Sequence, residues 1–173
     1  MHVLFVCTGN ICRSPTSERL AAAMAAQQAV SGFRASSAGT GAVIGHPVHP
    51  EAARVLADLG GDPLGFTARQ LTAARAADAD LILTMTREHR DAVLELAPRR
   101  LHQTFTLTEA HALITQFDPE NVAGLAVLRP HLRADELPDV SDPIGQSPEV
   151  FEQVGARIAA LVGPVVEFCG RVG

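Results

Sequence analysis

The chain opens MHVLFVCTGNICRSP, and this stretch constrains the fold more than any other. VLFV (3–6) is a short continuous apolar run, the pattern of a strand buried on both faces of a parallel sheet. A loop of small and polar residues follows, and then a segment with helix-start chemistry. Ser14 suits an N-cap, Pro15 the first helical position, and Glu18 the first turn, where the helix dipole favours an acid. Leu20, Met24 and Val30 fall on or near one face, and Gly32 ends the segment.

The same alternation continues. FRASSA (33–38) reads as a second strand, GTGAVIGHPVHP as a loop, and PEAARVLADLGG as a helix started by Pro50 and stopped by Gly60. LTAARAAD is a short helix and DLILTMT (80–86) the clearest strand after the first. REHRDAVLELAP is a helix ended by Pro98, and TFTL (104–107) a fourth strand. Residues 115–147 hold several Asp and Pro with weak periodicity. A structureless loop of that length is uncommon, so a turn or two of helix is expected inside it. Residues 148–170 form a long amphipathic closing helix, with Gly163-Pro164 as a possible kink. Strands alternating with helices predict a three-layer α/β sandwich: a central four-stranded parallel sheet, doubly wound, over a single domain, 1–173. Ligands of such sheets bind beyond the carboxyl ends of the strands, and Cys7 ends the first one.

Bulk composition narrows the partners. The formal net charge of −5 argues against nucleic acid or an anionic membrane held by bulk charge. All the basic side chains are Arg, and Phe is the only aromatic. No apolar run approaches a membrane span, and VLFV is too short for a secretory core. Cys7, Cys12 and Cys169 are an odd set without disulfide-framework spacing, so the expected compartment is the reducing cytoplasm.

The loop has a chemistry of its own. Backbone N–H groups in a tight turn that feeds a helix N-terminus make an anion cradle. Arg13 adds a planar fork that grips two oxygens of a tetrahedral oxyanion. Cys7 sits at the base, where the field that holds an oxyanion also favours a thiolate. Gly9 and Asn10 are residue types that tolerate positive φ, and Ser14 can donate its hydroxyl to the thiolate. A thiolate beneath a held phosphoryl group is a nucleophile aligned for in-line attack. A structural cysteine beside an anion-binding turn is the plainer alternative, but it leaves so costly a site without a use.

CTGNICRSP resembles the phosphate-binding loop of the low-molecular-weight protein tyrosine phosphatases. SAGT (37–40), TARQL (67–71), DLILTMT (80–86) and DP (142–143) before a long helix extend the resemblance, in the family's order, over nearly the whole chain. It implies a phosphomonoester hydrolase acting on phosphotyrosine in proteins through a cysteinyl phosphate, without cofactor or metal. Cys7 would be nucleophile, Arg13 the oxyanion clamp and Asp142 the general acid and base. Asp139, in LPDVSD, competes for the last role, but only Asp142 precedes Pro. Thr8, Gly9, Asn10, Ile11, Cys12 and Ser14 would bind the substrate, with Ile11 on the rim. Asn10, Ser14 and Ser37 match a network that holds the loop. Cys12 would trap oxidised Cys7 as a disulfide, or would merely pack under the loop. Phosphate, sulfate or vanadate should occupy the cradle.

Departures from the family pattern bear on the substrate. Its usual network histidine is here Phe66, so one hydrogen bond on Asn10 is expected to be lost or replaced. The aromatics that usually follow Asp-Pro are Ile144 and Gly145, and GTGAVIG lacks the common Trp, so the walls are aliphatic. Rivals are protein arginine phosphatase, which SDPIGQS resembles but which tends to carry Thr where Ile11 stands; arsenate reductase, which needs two further cysteines where only Cys169 lies downstream; and a non-catalytic oxyanion-binding module. GTGAVIG is no dinucleotide fingerprint, because HPVHP rather than a helix follows it. His46, His49 and Glu51 lie in a rigid Pro-flanked loop and are not read as metal ligands.

Overall fold

In the computed structural model, which describes residues 1–133 and 137–172, four strands form one parallel sheet ordered β2-β1-β3-β4. They are β1 (His2–Cys7), β2 (Arg34–Gly39), β3 (Leu81–Thr84) and β4 (Thr104–Thr106). The helices are α1 (Arg13–Gln27), α2 (Pro50–Asp58), α3 (Ala73–Asp78), α4 (Arg87–Leu96), α5 (Leu107–Phe117), α6 (Val122–Leu128) and α7 (Pro148–Val172).

The apolar run of β1 explains its place. Side chains alternate across a strand. Val3, Phe5 and Cys7 pack with Leu20 of α1, Leu113 of α5 and Val162 of α7. Leu4 and Val6 pack the other way, with Ala76 of α3, Ile82 of β3 and Val93 of α4. A strand buried on both faces has no polar side, which is what VLFV announces. The doubly wound three-layer arrangement follows, and it leaves Cys7 at the carboxyl end of a central strand.

Several boundaries differ from expectation. Ser14 does not cap α1: the helix begins at Arg13, Cys12 stands at the cap position without a side-chain cap bond, and Ser14 points into the loop. Glu18 is not a first-turn acid but a buried partner of Ser37 and Arg69. α1 stops at Gln27, before Ala29 and Gly32, both at positive φ. β2 is shifted by one residue, and β3 is shorter than DLILTMT because Thr86 leaves it to cap α4. Leu107 belongs to α5, not β4: Thr106 and Glu109 form a reciprocal capping box that turns the chain into helix. Within 115–147 lie the end of α5 and all of α6, while 134–136 fall outside the described residues. α7 runs through Gly163-Pro164 without interruption.

The end of β2 abuts the loop after β1. Cys7 pairs in register with Gly39. A Cβ on Gly39 would stand 2.3 Å from the Thr8 carbonyl oxygen and 3.0 Å from the Ala42 backbone. Backbone on both sides cannot swing away as a side chain would. Gly39→Ala is therefore expected to destabilise the protein by about 1–3 kcal/mol, the usual cost of overpacking, and to lower kcat/KM by displacing Thr8. Urea denaturation with steady-state kinetics checks this; an unchanged midpoint would refute the tight approach.

Candidate active site

The loop between β1 and α1 is held by its carbonyls. Cys7 O accepts from Thr40 N at 2.9 Å, Thr8 O from Gly41 N at 3.1 Å, Gly9 O from Val43 N at 3.0 Å and Ile11 O from His49 N at 2.7 Å. Cys12 O accepts from Thr16 N at 3.1 Å as α1 starts. In a trans peptide the next residue's N–H points opposite to the carbonyl. With these carbonyls turned to the surrounding chain, the N–H groups of Gly9, Asn10, Cys12 and Arg13 turn to the inside. The loop 40–49 is thus the outer collar of the cradle, and the dipole of α1 adds to its positive potential.

Beneath the cradle lies a buried polar network. Asn10 takes φ 54°, and its amide is pinned on both sides. Its Oδ1 accepts from Arg69 N at 2.8 Å; its Nδ2 donates to Ser14 Oγ at 2.9 Å and to Ser37 Oγ at 2.8 Å. Ser37 donates onward to Glu18 Oε2 at 2.5 Å, and Arg69 Nη2 holds the Glu18 carboxylate at 3.2 and 3.3 Å. Ser14 Oγ lies 2.9 Å from Cys7 Sγ. That oxygen accepts from Asn10 and still has its own proton to give, so Ser14 is placed to donate to the sulfur. The bond expected to be missing at Phe66 is replaced by the Arg69 backbone. Phe66 is buried, with the guanidinium carbons of Arg19 and Arg69 each 5.7 Å from its ring centre.

Above the thiol, Cys7, Thr8, Gly9, Ile11, Cys12, Arg13, Gly41, Val43, Asp142 and Ile144 line a cleft of about 280 Å³. Arg13 is buried; its Nη1 donates to Val140 O at 3.1 Å and its Nη2 to Asp142 Oδ2 at 2.5 Å. Val140 N in turn donates to Met85 O at 2.8 Å, which fastens the Asp142 segment to the end of β3. Asp139 is occupied elsewhere: its Oδ1 accepts from Arg87 N at the start of α4 and does not line the cleft. Hollows of about 910 and 600 Å³ lie away from the cradle and hold no thiol. Among the described residues no group of three or more His, Cys, Asp or Glu is arranged to hold a metal, and no helix is long and apolar enough to cross a membrane.

The structure adds His89, which the sequence reading passed over. Its Nε2 lies 2.8 Å from Thr8 Oγ1 and its Nδ1 2.8 Å from Thr86 Oγ1, so it braces the first residue of the cradle. The available signal was a His three residues after a cap-type Thr, at the strand ends where Cys7 lies. Burial, and then the charge of Arg13, push the imidazole from 6.5 down to about 4. The folded ring therefore stays neutral while the unfolded chain takes up a proton. This contribution to stability is whole above pH 6.5 and drains away as pH falls towards 4. Urea midpoints at pH 7 and pH 5 should fall less in His89→Gln than in the wild type; equal falls would contradict a neutral His89.

The chain matches the sequence profile of the family described as "Low molecular weight phosphotyrosine protein phosphatase" over residues 2–167. The low molecular weight protein-tyrosine-phosphatase Etp of Escherichia coli K12 is 43% identical over 96 residues; the match spans 56% of this chain and 62% of Etp. Among solved structures, the low molecular weight protein tyrosine phosphatase from T. tengcongensis superposes with a TM-score of 0.78 at 30% identity, covering 96% of this chain and 98% of that one. YwlE arginine phosphatase, as a Cys-to-Ser variant with a phosphorylated active-site serine, gives 0.78 at 26% identity, covering 96% and 94%. With this profile match and this loop geometry, the chain belongs to the low molecular weight phosphotyrosine protein phosphatase family.

Proposed function

We propose that this chain, as a single catalytic domain over 1–173, hydrolyses phosphotyrosine in proteins through a phosphorylated Cys7. The observation that carries this is the shared cleft: Cys7, with Ser14 Oγ 2.9 Å from its sulfur, lies at its base with Arg13 and Asp142 on its wall. The Cys7 thiolate attacks phosphorus in line. The loop N–H groups and Arg13 hold the non-bridging oxygens as charge develops. The P–O bond to the leaving oxygen breaks, and Asp142 delivers the proton. Asp142 then takes a proton from the water that attacks phosphocysteine, and phosphate departs while the thiolate is restored. The phosphorylated serine in the YwlE variant supports a nucleophile at this point of the fold. Three free cysteines and a thiolate nucleophile suit a reducing cytoplasm.

The walls favour an aryl ester. Ile11, Val43 and Ile144 line the cleft with aliphatic carbon, and Val43 and Ile144 are exposed at its mouth. A ring is long enough to carry its phosphate past them to the thiolate; a serine side chain is not. The likeness to YwlE favours a second reading, phosphoarginine, against which Ile11 offers no hydroxyl to a water.

Turnover of phosphotyrosine and phosphoarginine peptides side by side tests the assignment. Phosphotyrosine should be the faster. Cys7→Ser should abolish turnover yet keep phosphate affinity. Asp142→Asn should lower kcat by roughly 10²–10⁴ for poor leaving groups, and Asp139→Asn by much less. Wild-type rates in Cys7→Ser would end the nucleophile assignment, and a reversed ranking of the two aspartates would move the acid to Asp139.

For Cys12 we propose the trapping role. Burial, and then the neighbouring Cys7, push its thiol up to about 12, so it is protonated at rest. Oxidation of Cys7 to a sulfenic acid removes that neighbouring charge and supplies the electrophile. Peroxide should inactivate the wild type reversibly, with recovery in dithiothreitol, and Cys12→Ser irreversibly. Equal recovery of both would leave Cys12 as packing among Val48, Val55 and Phe151.

A further inference from the structure

We propose a second oxyanion site, separate from the cradle, where Arg34, Ser36, Arg69 and Arg75 meet at the outer edge of the sheet, fitted to a free phosphate ion. β2 is an edge strand. Between it and α3 lies a cavity of about 100 Å³ lined by His2, Leu4, Arg34, Ser36, Ser37, Arg69, Arg75 and Asp78.

The charges there do not balance. Arg34 Nη2 donates to Asp78 Oδ2 at 2.8 Å and lies 2.8 Å from His2 Nδ1. That hydrogen bond and charge hold the Asp78 carboxyl below its usual range, so it is an anion. Arg69 Nη2 is taken by Glu18. Arg75 makes no ion pair among the described residues, so one guanidinium of the three on the cavity wall is uncompensated. A second observation is independent of that count: Arg69 Nε is buried with no hydrogen-bond partner. A buried donor left unmade is costly. An anion in this cavity lies beside both Arg69 and Arg75 and brings the negative charge that Arg75 lacks, which a water does not. Ser36 Oγ, 2.6 Å from His2 Nε2, brings a hydroxyl to the same cavity.

Size selects the ligand. By its share of liquid volume a water takes about 30 Å³, so the cavity holds about three waters. One tetrahedral oxyanion fits that space. The site also touches the catalytic network, since Arg69 N holds Asn10 and its Nη2 holds Glu18. Phosphate released at Cys7 would therefore have a second place to bind on the same molecule.

Two-dimensional ¹⁵N–¹H NMR of the full chain, titrated with inorganic phosphate at constant ionic strength set by chloride, tests this. Two groups of signals should move with different affinities: the amides of Gly9, Asn10, Cys12 and Arg13 for the cradle, and those of Arg34, Ser36 and Arg75 with the Arg75 Nε–H for the second site. Arg75→Gln and, separately, Arg34→Gln should weaken the second group roughly 10- to 100-fold, the worth of a charged hydrogen bond, and leave the first. The proposal is overturned if the second group stays still, moves equally with chloride, or tracks the cradle's curve and survives both substitutions. Failure of the first group to move would count against the cradle alone.

Discussion

The cradle end of the sheet depends on the side-chain amide of Asn10. No other residue type meets all its demands. The position has φ 54°, which asparagine tolerates and most side chains do not. The amide must accept once, from Arg69, and donate twice, to Ser14 and Ser37. Glycine would allow the backbone and offer no bonds. Aspartate would accept but not donate, and would set a charge beside the Cys7 sulfur. Asn10 is fully buried, and a buried network of this kind is stabilising only when every member is satisfied. The Ser14 hydroxyl that Asn10 holds lies 2.9 Å from Cys7 Sγ, so the same amide fixes the group that faces the sulfur.

The same network shows how a departure from family pattern is absorbed. Phe66 brings no hydrogen bond where the resemblance led one to expect a histidine. The network closes instead on charge: Ser37 donates to Glu18, and Glu18 is gripped by Arg69. Glu18 is nearly buried, and burying a carboxylate is costly unless it is paired and hydrogen-bonded. Phe66 contributes an aromatic face to the guanidinium of that pair, Arg69, and to that of Arg19. An apolar substitution is thus tolerated because it sits under cations rather than in the hydrogen-bond chain.

What the sequence disclosed follows from how locally each feature is encoded. The β1 strand, the cradle and the start of α1 occupy consecutive residues, and their pattern is complete within them. Glu18 was misread because its position in the helix suggested the dipole, while its actual partners, Ser37 and Arg69, are 19 and 51 residues on. Ser14 was read in two roles and only the cap failed, because cap chemistry and thiolate-donor chemistry use the same hydroxyl and only the fold decides which neighbour it meets. The capping box at Thr106 and Glu109 was legible, and would have moved Leu107 from strand to helix. His89 was legible only as a neighbour of the cap residue Thr86, since its partner in the cradle, Thr8, lies 81 residues away.

Arg13 and Asp142 lie 129 residues apart, and their contact links binding to acid placement. The two ends of the guanidinium do different things. Nη1 is anchored to the Val140 carbonyl, whose own N–H is fastened to Met85, so this end ties the acid-bearing segment to the sheet. Nη2 holds Asp142 itself, and the second carboxylate oxygen accepts from Ile144 N at 3.2 Å. Under the proposed reaction, a phosphoryl group entering the cradle competes for Nη2 and leaves Nη1 in place. The Asp142 backbone then stays docked while its carboxyl is released, above the thiol and beside the leaving oxygen. A lysine could not divide the work in this way, because a single ammonium cannot present two fixed donors to two partners in one plane. Under the proposed reaction the arginine of the cradle is therefore both the grip on the substrate and the hinge pin of the acid that serves it.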